Sequence, residues 1–92
     1  MLLASKPHTA NATTRWRIDY SRWLENTATI TDATVASSSP TCSAENSSVL
    51  GKDVIFFLTG GETGETFMVS IIITDSLGNI KPDTIAFTVV AP

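Results

Sequence analysis

Between the apolar runs of Phe56–Thr74 stand three glycines and two glutamates, as Gly60-Gly61-Glu62-Thr63-Gly64-Glu65. Glycine-rich loops can cradle phosphate, and acidic loops can hold calcium. A phosphate loop of Walker type needs a lysine after its last glycine and a helix starting there, so that a cation and backbone N–H groups meet the anion. Here Glu65 takes that place and a strand-like segment follows. A calcium loop needs acids at several alternate positions, and Glu62 and Glu65 have no third acid beside them. What remains is a hairpin turn, with glycines adopting positive φ and both glutamates at its tip in water.

Other chemistry is equally poorly supplied. His8 is the sole histidine and falls in a polar stretch expected to be mobile, so no Ser-His-Asp or Cys-His pair is predicted. The lone Cys42 cannot close an internal disulfide, and with His8 it does not make a metal site; a buried or half-buried free thiol is expected. Most carboxylates adjoin turn residues, where solvation is the natural state. Trp16, Tyr20 and Trp23 could stack on sugars, but the alternation around Trp16 and Tyr20 favours packing, and only Trp23 stays open between core and contact. The sequence predicts no enzyme, no metal and no cofactor.

Ninety-two residues, 42% hydrophobic, supply one packed core. Charge is sparse but lopsided: residues 1–22 hold four cations against one acid, +3, and residues 23–92 hold two against eight, −6. An acidic body argues against nucleic acid as a partner. No apolar run approaches the roughly 20 residues that cross a bilayer. The opening Met1–Pro7 lacks the basic and apolar regions of a secretion leader, so synthesis in a reducing cytoplasm is expected.

Two parts are expected. Residues 1–14 contain "SKPHTANATT", too polar to offset its ordering entropy, and read as an extended arm, mobile in the isolated protein. Residues 15–92 read as the folded domain. Trp16, Ile18 and Tyr20 alternate with Arg15, Arg17 and Asp19 as a half-buried strand, and "SRWLEN" then turns a corner. Ile30 and Val35 are five residues apart, so their strand needs a bulge to bring both inward. "SSSPTCSAENSS", with seven serines or threonines, is a loop or an edge strand. "VIFFL" is apolar on both faces. In the last two strands Phe67, Val69, Ile71 and Ile73, then Ile85, Phe87 and Val89, point inward, with a turn at "DSLGN" between them. No helical periodicity appears. The prediction is an all-β, immunoglobulin-like antiparallel sandwich of two sheets carrying an extended N-terminal arm.

"DYSRWLENTATITDATV" and "VIFFLTGGETGETFMVSIIITDSLGNIKPDTIAFTVV" resemble the small immunoglobulin-like fiber-tail adaptor family of tailed bacteriophages. The likeness runs from Asp19 to Val90. It rests on Trp23-Leu24, Ile30, Leu58-Thr59-Gly60-Gly61 with Gly64, and Ile73-Thr74 with Gly78. Asn79 stands where the family pattern implies arginine, with Lys81 as candidate substitute, and Pro82 enters just before the final strand.

The resemblance implies a structural virion protein, used in multiple copies, that joins tail fibers to the tail or the portal-proximal ring. Its partners would be tail, adaptor, fiber or capsid subunits. A capsid cement protein and a carbohydrate-binding module are the alternatives. Lys6, Arg15, Arg17, Arg22, Trp23 and Lys81 are the candidate partner contacts, on the expectation that the basic end docks on an acidic surface.

Overall fold

Alternation of apolar and polar residues shapes nearly every segment, and the outcome is seven strands and no helix. The structure, a computed structural model, describes residues 1–92. The strands are β1 (Leu2–Thr9), β2 (Ala12–Asp19), β3 (Ile30–Ser37), β4 (Cys42–Leu50), β5 (Asp53–Gly60), β6 (Thr66–Asp75) and β7 (Ile80–Val90). They form a four-stranded sheet, β1-β7-β6-β3, and a three-stranded sheet, β2-β5-β4, packed as a sandwich. All neighbours are antiparallel except β1 and β7, which run parallel.

The core lies where the alternation places it. Phe56, Leu58, Val69, Ile71, Ile73 and Phe87 are fully buried, with Val54, Phe67, Ile85 and Val89 around them. Phe87 stacks on Phe67 at 5.5 Å between ring centroids and meets Trp16 in a T-shaped contact at 5.0 Å. Aromatic pairs in these geometries add to the stabilisation from burial alone. The bulge in β3 sits between Ile30 and Asp32, where the pairing with β6 slips, and it turns both Ile30 and Val35 inward.

The first fourteen residues are not an arm. Leu2–Thr9 pairs with Thr84–Val90 of β7, and Ala12 and Thr13 already belong to β2. The expectation failed because it weighed side chains, whereas β1 is held largely by main-chain hydrogen bonds to a neighbour distant in sequence. His8 is the other anchor. The residue is 1% exposed, its Nε2 donates to the Gly60 carbonyl at 2.9 Å, and its Nδ1 accepts from the Thr14 hydroxyl at 3.2 Å. Trp16 donates its indole N–H to the same Thr14 oxygen at 2.9 Å.

The glycine stretch is not a hairpin either. It carries the chain from β5 in one sheet to β6 in the other. Gly60, Gly61 and Gly64 all have positive φ, as expected. Gly60 also passes so close to the β3–β4 loop that a Cβ there would lie 2.4 Å from the Thr41 carbonyl oxygen. This approach steers the chain off its sheet. Glu62 is exposed, but Glu65 accepts from the hydroxyls of Ser39 at 2.7 Å and Thr41 at 2.8 Å. Those hydroxyls hold its carboxyl below the usual range.

"DSLGN" does close a hairpin, between β6 and β7. Asp75 Oδ1 accepts from the N–H groups of Leu77 at 3.0 Å and Asn79 at 2.8 Å, and Oδ2 accepts from the Asn79 amide at 3.1 Å. Burial pushes the Asp75 carboxyl up, but the Asn79 bonds outweigh it and keep the group ionised at lower pH than usual. Pro82 lies inside β7 rather than before it. It precedes Thr84, where β1 joins, so its missing N–H is not needed for that pairing.

Candidate docking site

The six predicted contact residues do not form one patch. Lys6 is exposed on β1, in the four-stranded sheet, whereas Arg15 and Arg17 project from the outer face of β2 in the other sheet. Arg17 is committed to an ion pair with Asp53, its guanidinium Nε and Nη2 both on Oδ2. Arg15 has no ion-pair partner within the chain.

Arg22, Trp23 and Lys81 do meet. With Met1, Leu3, Ile18, Asp19 and Tyr20 they line an open groove of about 350 Å³ at one end of the β1–β2 flank. The corner after β2 positions them: the N–H groups of Trp23 and Leu24 both donate to the Tyr20 carbonyl at 3.0 Å, a single tight turn that buries Leu24 and leaves Trp23 38% exposed. Asp19 braces the corner by accepting the Ser21 N–H at 2.8 Å, and that bond holds its carboxyl below the usual range. Trp23 meets the ring of Tyr20 edge-on at 6.5 Å, and the Lys81 ammonium stands 5.8 Å from its centroid, a cation–π contact.

Beneath the groove lies a buried polar cluster that the sequence reading missed. Asp83 is 2% exposed, accepts the Tyr20 hydroxyl at 3.1 Å and the Lys81 ammonium at 2.8 Å, and has the Met1 amino group 3.8 Å away. Burial, and then the Asp83 charge, push the Tyr20 phenol far above its ordinary value, so it stays a hydrogen donor. Lys81 is therefore spent on Asp83 and Trp23, and Asn79 on Asp75. Counting back by twos from Ile85 would have found this: Asp83 and Lys81 share its inward face.

His8, Asp53, Asp75 and Asp83 are engaged in holding the fold. No three His, Cys, Asp or Glu side chains cluster as metal ligands would. Cys42 is buried and free, its thiol pushed up by burial and then by the nearby Glu65 charge.

A family model described as Gp77, the podophage GP4 fiber-tail adaptor protein gp77, matches residues 8–88. The chain belongs to this family. As a member of the fiber-tail adaptor family it is a structural component of the phage tail, and its partners are other tail proteins. The match begins at His8, so the family pattern includes the end of β1 and the whole of β2, beyond the Asp19 start suggested by the sequence reading. No curated protein matches the chain.

Proposed function

We propose that the protein is a non-enzymatic joint, present in multiple copies, that connects tail fibers to the tail or portal-proximal ring of a virion. The observation that carries this reading is the family match over residues 8–88, which takes in the end of β1 and the whole of β2 on the groove-bearing flank. The strand order supports an immunoglobulin-like scaffold: β2-β5-β4 against β7-β6-β3 follows the B-E-D and G-F-C orders of that fold, with β1 at the β7 edge.

The groove residues Arg22 and Trp23, and the unpaired Arg15 farther along β2, are the proposed partner contacts. Lys6 is a peripheral one, while Arg17 and Lys81 act by shaping the surface. Electron microscopy of assembled particles tests the function. Density for this chain between fiber and tail is expected, together with loss of fibers from particles lacking it. Density on the capsid shell, or fibers attached in its absence, would overturn the reading.

A further inference from the structure

Sheet edges offer unpaired main-chain groups to other chains, and folded proteins normally blunt them. Four edges exist here, and three are blunted. In β1 the N–H is missing at Pro7 and the register breaks between Leu2 and Ala4. β3 is bulged between Ile30 and Asp32, and β4 between Glu45 and Ser48, where Asn46 takes a φ of 52°.

The fourth edge, β2, has none of these devices. Ala12–Asp19 pairs with β5 through eight consecutive positions without a slip, and it contains neither proline nor glycine. Tyr20 N–H donates to the Lys52 carbonyl at 2.9 Å, and bonded residues alternate along an antiparallel ladder. The main-chain groups of Thr13, Arg15, Arg17 and Asp19 therefore face away from β5. None of them bonds to any other backbone group.

The two sheets are also unequal. β2 lies under β7, as the contacts of Trp16 with Phe87 and Tyr20 with Asp83 show, so β1 overhangs the edge of the shorter sheet. A strand added to β2 would lie beneath β1 and make the sandwich four on four. At the Ile18 end its inward side chains would meet the apolar lining of the groove, Leu3, Ile18, Tyr20 and Trp23. Its outward side chains would lie beside Arg15 and Arg17. A second copy of this chain pairing through β2 would bring arginines against arginines, which is unfavourable.

We propose that β2 is a docking edge for strand addition by an extended segment of another virion protein, one that alternates apolar and acidic residues. The apolar positions enter the groove under β1, and the acidic positions pair with Arg15. The origin of the partner rests on the adaptor reading, but the chemistry of the edge does not.

The test is a capped peptide of alternating valine and glutamate, matched to the eight residues of β2, titrated into the intact protein while tryptophan emission is followed. Saturable binding that weakens with salt is expected. Methylating the peptide nitrogens that face β2 should weaken it about tenfold or more, since main-chain bonds carry the affinity. Replacing glutamate by lysine in the peptide, or Arg15→Glu in the protein, should weaken it several-fold. Arg15 is exposed, so the variant should melt as the parent does. No saturable change, or equal binding by the methylated and unmethylated peptides, overturns the proposal. Either result leaves the localisation of the protein in the particle to be decided separately.

Discussion

The hydroxyl of Tyr20, at the end of β2, reaches across the sandwich to the carboxylate of Asp83 on β7 at 3.1 Å. This bond ties the two sheets together directly under the groove. Tyr20→Phe should cost about 1.5–3 kcal/mol, the range for a hydrogen bond to a charged group. Asp83→Ala should cost about 1–3 kcal/mol or more, because the buried Tyr20 hydroxyl is left without its acceptor and the half-buried Lys81 without its carboxylate. In a double-mutant cycle with Asp83→Asn, read by denaturant melts, the two losses should fall short of additivity. Strict additivity would mean that the two groups do not interact in solution.

Trimming the core tests the strand assignment itself. Phe56 and Ile71 are fully buried on opposing sheets, so alanine at either should cost about 2–5 kcal/mol. Thermal melts that stay within a degree or two of the parent would mean that these side chains are not in the core.

Gly60 and Gly64 separate two kinds of glycine requirement. Both have positive φ, 98° and 90°, so alanine at either meets a conformational cost of about 1 kcal/mol. Only Gly60 faces a backbone oxygen, at 2.4 Å from an added Cβ, whereas nothing lies near Gly64. Gly60→Ala should therefore melt well below Gly64→Ala. Equal melting temperatures would show that the β3–β4 loop yields freely.

Glu65 gives the protein a defined acid response. Its carboxyl is held below the unfolded value by the Ser39 and Thr41 hydroxyls, so it contributes stability above the unfolded pKa of about 4.3 and loses it as pH falls through the lower folded value. Glu65→Gln should be less stable than the parent at neutral pH, and the two melting curves should converge on acidification. If the difference between them is the same at both ends of that range, Glu65 is not linked to folding.

The alternating segments were legible because burial imposes a period of two on a strand. That rule located Phe56, Phe67, Ile71 and Phe87, and it implied the β3 bulge from Ile30 and Val35. It did not reveal β1, whose order comes from parallel pairing with a strand some eighty residues away, leaving little trace in composition. The glycine stretch gave its backbone conformation but not its destination, because positive φ is compatible with a hairpin and with a passage between sheets. Of the candidate contacts, residue type marked all six equally. Only the fold distinguishes Arg15, which is unpaired, from Arg17 and Lys81, whose charges Asp53 and Asp83 satisfy.

The parallel run of β1 beside β7 has a mechanical meaning. Leu2 starts next to Thr84 and Thr9 ends next to Val90, so the beginning of β1 and the end of β7 lie at opposite ends of one ladder. Tension between those two points loads the ladder in shear, and its hydrogen bonds must give way together rather than peel off one at a time. A chain held at its two extremities would carry load through the seam that makes its first residues part of the sheet.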